Sequence, residues 1–154
     1  MLRAKAGELI HDARKDVAMT QMELAAAAGI HQPTLAAYES GRRHPSEATL
    51  NRILTAARMR PSIPLTVASD EIKRSARRHN LGSVRVFGSV LTGDDTPTSD
   101  IDLLVETGPH TSLFDLGRFA NDVEMLTGFS VDVITEQQAR SPHFRHVLDG
   151  ALPL

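Results

Sequence analysis

Residues 83–105 read SVRVFGSVLTGDDTPTSDIDLLV. The first five residues alternate as a strand does, Gly88-Ser89 ends that strand, and a loop rich in Gly, Asp, Thr and Pro leads to a second strand, Ser99–Val105. Side chains alternate between the two faces of a strand, so Asp100 and Asp102 project from one face while the apolar residues between and after them point into a core. The sequence therefore predicts two carboxylates held side by side at the edge of a hydrophobic sheet.

A third acid interrupts an apolar strand further along the chain, where Asp132 lies within Ser130–Ile134. Helical spacing over residues 68–79 and 112–126 surrounds these strands and indicates a mixed α/β domain. If the third strand pairs beside the second, Asp132 joins the two earlier aspartates. Three carboxylates would then form an all-oxygen site of the kind Mg²⁺ prefers when it also binds substrate phosphates. Without a cation they would repel one another or take up protons.

The first 60 residues have helical spacing and no competing strand pattern. A capping box at Thr20–Glu23 predicts a second helix over about residues 20–28, which Gly29 ends. Pro33 suits the first turn of a third helix that stops at Gly41. Two short helices joined by a glycine-containing turn are a helix-turn-helix unit.

Charge divides the chain at the clustered prolines of Pro61–Pro64. Residues 1–62 hold nine Lys/Arg and six Asp/Glu, whereas residues 63–154 hold eight and thirteen. We therefore predict a domain of residues 1–60 facing a polyanion, a linker of residues 61–67, and a domain of residues 68–154 facing cations. Each half is expected to work alone.

Composition excludes several classes of protein. The absence of Cys excludes disulfides and thiolate metal sites, and no apolar run approaches the roughly 18 residues that cross a bilayer, so we expect a cytoplasmic protein without a membrane partner. His143 and His146 lie three residues apart on a predicted C-terminal helix. No third ligand of zinc type accompanies them, and we interpret them as structural.

The segments Thr20–Ala25, Ala28–Ile30, Gln32–Leu35 and Tyr38–Arg43 resemble the Cro/repressor-type (Xre) DNA-binding domains over nearly all of residues 1–60. The resemblance implies that the helix after the turn lies in the major groove of operator DNA. It places side chains near base edges or phosphates at Gln21, His31, Gln32, Thr34, Arg42 and Arg43. His31 departs from the family, which usually has Ser or Thr at this helix cap.

Gly88-Ser89, Asp100-Ile101-Asp102 and Asp132 together resemble the minimal (MNT) nucleotidyltransferases of the DNA polymerase β superfamily, over about residues 68–154. The resemblance implies that Gly88 and Ser89 bind the triphosphate of ATP and that the three aspartates hold Mg²⁺, with Asp132 also acting as base. The expected fold class is α+β: an all-α helix-turn-helix bundle followed by a small α/β domain with a mixed sheet.

Minimal nucleotidyltransferases of this kind resemble antitoxins that inactivate a partner toxin, such as a HEPN-type ribonuclease, by attaching AMP. The resemblance implies an antitoxin that modifies its toxin, represses its own operon, and forms a homodimer or a hetero-oligomer. The loop has Val90, Leu91 and Thr92 where family members often carry a basic residue. This departure leaves open an inactive antitoxin that only binds its toxin and DNA. A second alternative, a nucleotidyltransferase acting on RNA or a small molecule, also stays open.

Overall fold

A computed structural model of the chain describes residues 2–141 and 145–154, with side chains for residues 4–141 and 147–154. His143 lies outside the described residues, and so does the side chain of His146. No helix in these ranges is long and apolar enough to cross a membrane.

The N-terminal half is entirely helical in its described part. A 3₁₀ turn at Leu2–Lys5 precedes five helices: α1 Ala6–Asp16, α2 Gln21–Ala27, α3 Gln32–Glu39, α4 Glu47–Ala56 and α5 Ser62–Val67. The local signals act as predicted. Thr20 and Glu23 form the reciprocal capping box at the start of α2, and Gly29 and Gly41 adopt φ of +64° and +70° after α2 and α3. One apolar core, which includes Leu9, Ile10, Leu24, Leu35 and Ile53, holds the helices together.

The segment 61–67, predicted as a linker, contains helix α5. Pro61 and Leu65 are buried, Ile63 and Val67 pack into the core of the N-terminal half, and Leu65 packs into the core of the second half. The two halves therefore meet along a packed segment. The division into residues 1–60, 61–67 and 68–154 stays a prediction.

The C-terminal half is a mixed α/β domain, which confirms the predicted fold class. Its elements are α6 Ser69–Arg78, β1 Leu81–Phe87, α7 Gly88–Thr92, β2 Ile101–Thr107, α8 Leu113–Thr127, β3 Val131–Thr135, α9 Glu136–Ala139, α10 Arg145–Gly150 and β4 Leu152–Pro153. The strand order is β3-β2-β1-β4. Strand β2 runs parallel to β3 and antiparallel to β1, and β1 also pairs antiparallel with β4.

The alternation along β2 separates the two faces of this sheet. Ile101 and Leu103 are fully buried against α6 and α8, as predicted. Leu104 faces the other way and packs with Ala139 of α9 and Val147 of α10. Asp102 shares the face of Leu104, because residues two apart on a strand point the same way. The acidic residue therefore lies beside a second, smaller apolar cluster.

Candidate active site and nucleic-acid interface

The parallel pairing of β2 with β3 brings two of the predicted acids together. Asp102 and Asp132 are directly opposite each other in the register, and successive strands in a sheet are about 4.8 Å apart. Asp100 immediately precedes β2 and is exposed. The structure thus places Asp102 beside Asp132 at the start of two neighbouring strands, with Asp100 two residues before Asp102 in the chain.

Gly88 approaches this site from the neighbouring strand, since Phe87 at the end of β1 pairs with Asp102. Gly88 has φ of +69°, and a Cβ atom built on it would lie 2.1 Å from Oδ2 of Asp102. No side chain fits there without displacing the carboxylate. The glycine is therefore required both by the left-handed backbone and by the contact with Asp102.

Asp102 lies where its ionised form is disfavoured. Burial raises the pKa of Asp102 above its ordinary range, and the nearby carboxylates of Asp132 and Asp100 raise it further. A carboxyl group in this position has its ionised form destabilised by both desolvation and repulsion. A bound cation would offset both effects by its attraction for the carboxylate.

The donor set fits a magnesium ion that is shared with a substrate. In residues 4–141 and 147–154, whose side chains are described, no group of three or more His, Cys, Asp or Glu side chains is placed to hold a metal ion by itself. Mg²⁺ is usually held by one or two carboxylates while water and substrate phosphates complete its shell. Asp102 and Asp132, on adjacent strands, match that pattern.

The loop between Gly88-Ser89 and Asp100 has its own ordered structure. Helix α7 ends at Gly93, whose φ is +78°, and the amide of Asp94 donates to the Ser89 carbonyl at 3.0 Å. A turn closed by the Thr96 amide and the Ser99 hydroxyl, 2.9 Å apart, then leads into β2. The two motif segments are therefore joined by a structured connection.

A second site is formed by α2 and α3, where the predicted DNA contacts lie. The side-chain Nε2 of Gln32 donates to Oε1 of Gln21 at 2.9 Å, and Nε2 of Gln21 donates to Oε2 of Glu39 at 2.8 Å. Glu39 in turn accepts two hydrogen bonds from Arg14, at 2.7 and 3.0 Å. Both charged side chains are almost fully buried. This network, which no sequence motif indicated, fixes the ends of α2 and α3 relative to α1.

The remaining predicted DNA contacts surround this network. His31 is the N-cap of α3 and makes no side-chain capping bond, Thr34 is half-buried on the same helix, and Arg42 and Arg43 are exposed after it. The Nε of Arg42 donates to the Ser40 hydroxyl at 3.0 Å. His31 therefore leaves its helix start uncapped by a side chain, and the two arginines present charge to solvent.

Comparison with known proteins matches both halves. The nucleotidyltransferase domain family matches residues 69–150, and the helix-turn-helix family matches residues 10–61.

Among the relatives, a protein of Methanocaldococcus jannaschii named as a proposed protein adenylyltransferase is 40% identical over 70 residues, which are 43% of this chain and 75% of that protein. Another so named, from the same organism, is 30% identical over 90 residues, covering 53% of this chain and 92% of its own length. A solved structure described as a proposed minimal nucleotidyltransferase is 36% identical and superposes with a TM-score of 0.53, covering 58% of this chain and 92% of its own. The chain belongs to the nucleotidyltransferase domain family and carries an Xre-type helix-turn-helix domain at its N-terminal side.

Proposed function

We propose that the chain transfers AMP from ATP to a hydroxyl group of a partner protein. The observation that carries this proposal is the contact of Gly88 with Asp102, whose neighbour in the sheet is Asp132. This contact places the side-chain-free backbone of Gly88, which a triphosphate can approach, next to the carboxylates that would hold a metal. The names of the relatives support transfer of AMP and a protein acceptor.

Each residue has a defined part in this reaction. Gly88 lets the triphosphate approach the backbone, and the Ser89 hydroxyl donates to it. Asp100, Asp102 and Asp132 would hold Mg²⁺, which supplies neutralisation of the phosphate charge and orientation of the acceptor hydroxyl. The acceptor oxygen forms a bond to the α-phosphorus, the bond to the β-phosphate oxygen breaks, and pyrophosphate leaves. Asp132, exposed at this edge, takes the hydroxyl proton.

The proposal extends to regulation through the helix-turn-helix domain. We infer that the chain is the antitoxin of a two-gene pair, that the acceptor is the toxin, and that the N-terminal domain represses the shared operon. The Gln21–Gln32 pair held by Arg14 and Glu39 supports DNA reading, because Gln suits adenine by paired hydrogen bonds and the network fixes its position.

Labelled ATP tests the transfer directly. The full chain, Mg²⁺ and the protein encoded beside it are incubated with ATP labelled at either the α- or the γ-phosphate. Label should reach the partner from the α-position only, and Asp132→Asn should lower transfer by roughly 10²–10⁴-fold, the usual contribution of a catalytic base. Asp70→Asn, which removes an exposed acid of α6, is the matched control. Transfer from the γ-position, or equal loss in both variants, would contradict the assignment.

A second candidate is an antitoxin that only binds and masks its partner. The observation favouring it is the apolar start of the loop, Val90–Leu91, where a basic side chain would help hold the triphosphate. Under this alternative the wild-type protein silences the toxin without ATP. Silencing that needs both ATP and Asp132 excludes it.

A further inference from the structure

One acidic side chain inside the candidate nucleotide loop is bound by the other half of the chain. Asp95 lies midway between Gly93 and the turn that leads into β2, and its side chain is completely buried. Its Oδ2 accepts from the backbone amide of Ser62 at 2.8 Å, and its Oδ1 accepts from Nη1 of Arg60. Both donors, Arg60 and Ser62, belong to the helical N-terminal half.

Arg60 itself makes hydrogen bonds through all three of its guanidinium nitrogens. Its Nε and Nη2 donate to the two carboxylate oxygens of Asp16, at 2.8 and 2.7 Å, in a paired arrangement. Its Nη1, besides binding Asp95, reaches the carbonyl of Gly93 at 3.4 Å. The guanidinium thus joins the last residue of α1 to the end of α7 and to the loop that follows.

This anchorage is unusual within the described part of the chain. Asp95 is the one acidic residue there that is buried as a whole. A buried carboxylate is stable only when charged and polar partners satisfy it, so the loop cannot leave this position without exposing Asp95 or losing both donors. The path from Gly88 to Asp100 is therefore fixed near its middle by residues of the N-terminal half.

We propose that Arg60 is a positioning residue for nucleotide binding, acting through Asp95. The proposal rests on the proposed function, because it assumes that Gly88 and Ser89 hold the triphosphate. The segment after Gly88 and Ser89 offers no basic side chain to attract phosphate. The affinity of the site for ATP therefore depends on the loop being ordered before the nucleotide binds. The helix-turn-helix half thereby contributes to the nucleotidyltransferase site, contrary to the expectation that each half works alone.

Asp95→Asn removes the anchorage with the smallest change of shape. An amide offers one acceptor oxygen, while the site supplies two donors, Arg60 and the Ser62 amide, so one of them loses its partner. Arg60→Gln tests the same contact from the other side. Lys5→Met is the matched control: it breaks another ion pair between the halves, Lys5 with Glu71 at 3.1 Å, which lies outside the loop.

Two measurements on the full-length protein decide the matter. Without nucleotide, hydrogen exchange of the Asp94 amide, which is bonded to the Ser89 carbonyl, reports the order of the loop. With Mg²⁺ and α,β-methylene-ATP, calorimetry reports the dissociation constant. We expect Asp95→Asn and Arg60→Gln to speed the exchange and weaken binding, each about tenfold, the low end for leaving a buried donor or acceptor unpaired. Lys5→Met should change neither.

Exchange in Asp95→Asn that stays within about twofold of wild type, or an equal effect of Lys5→Met, would overturn the proposal. In turnover, the positioning role raises KM for ATP and leaves kcat near the wild-type value, whereas a general loss of folded protein would lower kcat. If the wild-type protein binds no nucleotide, the proposed function fails while the exchange measurement still decides whether Arg60 orders the loop.

Discussion

Replacing Gly88 with alanine should inactivate nucleotide transfer while leaving the protein folded. The added Cβ would lie 2.1 Å from Oδ2, 3.0 Å from Cγ and 3.3 Å from Cβ of Asp102. Non-bonded heavy atoms pack without repulsion from about 3.5 Å. The carboxylate of Asp102 must therefore move away from the added Cβ by on the order of 1 Å. A displacement of about 1 Å in a reacting assembly lowers the rate by roughly a hundredfold. We therefore expect at least that loss.

The effect on stability should be much smaller. Alanine in the left-handed region at φ of +69° costs about 1–2 kcal/mol, which for a chain of this size lowers Tm by about 2–8 °C. Gly93→Ala provides the matched control. Gly93 has φ of +78° in the same loop, but a Cβ built on it meets nothing within 4 Å, so it carries the backbone strain without the contact.

Initial rates of transfer from α-labelled ATP, measured beside thermal melting, separate these two effects. Gly88→Ala and Gly93→Ala should melt at similar temperatures, and only Gly88→Ala should lose transfer. If Gly93→Ala loses as much activity, backbone strain in the loop explains the result. If Gly88→Ala transfers nearly as fast as wild type, the close approach to Asp102 has no role in the reaction.

Three further outcomes follow from charges at the two sites. Asp102→Asn should stabilise the metal-free protein by roughly 0.5–1 kcal/mol, seen as a higher Tm. The same variant should lose the further rise in Tm that Mg²⁺ with ATP gives the wild type. An unchanged response to Mg²⁺ with ATP would place the metal elsewhere. Glu39→Gln leaves buried Arg14 without its charge partner and should cost roughly 3 kcal/mol at neutral pH by urea unfolding. Burial opposes ionisation of Glu39, yet its bonds to Arg14 and Gln21 keep its pKa below the ordinary value. The stability that ionised Glu39 contributes is therefore fully present above the ordinary pKa and is lost as pH falls through the pKa of the folded state. The difference in free energy of unfolding between Glu39→Gln and wild type should accordingly narrow on acidification. Arg42→Ala with Arg43→Ala should weaken binding to all DNA sequences and reduce the slope of log K against log salt by about 2; an unchanged slope in a gel-shift series would exclude phosphate contacts by both arginines.

Local chemistry explains why much of this fold could be predicted. The capping box at Thr20 and the glycines after α2 and α3 act through their own backbone conformation, and tertiary packing does not override them. The strands around Asp102 and Asp132 could be predicted because apolar residues alternate on both sides of each acid. Their pairing was conditional on strand order, which the sequence leaves open, and the structure supplies the parallel register.

Other features depend on contacts between distant residues and had no sequence signal. The two-residue strand Leu152–Pro153 is defined by its pairing with β1, whose residues lie more than 60 positions earlier in the chain. The division of the chain at the prolines of residues 61–64 stays a prediction, and the burial of Pro64 within α5 depends on packing that the proline pattern does not show. In the sequence, Asp95 is one of two adjacent acids in a polar loop. Its partner Arg60 lies 35 residues earlier in the chain, so no local pattern indicates the pair. A single sequence shows neither pairing.

The pKa shifts separate structural acids from the candidate site. Every other described carboxyl group with a shifted pKa has it lowered. Asp16, Glu39, Glu71 and Asp122 each have a cationic partner in the fold, and Glu23 and Asp115 accept hydrogen bonds from the helix caps Thr20 and Ser112. Asp102 alone among them has a raised pKa, because burial and two neighbouring carboxylates oppose its ionisation. The other shifted acids have charge or hydrogen-bond partners that favour their ionised forms, whereas Asp102 lies against Gly88, a position that leaves no room for a side chain. A bound cation would stabilise the ionised form of Asp102, and a cation bound together with a triphosphate fits this arrangement of carboxylates.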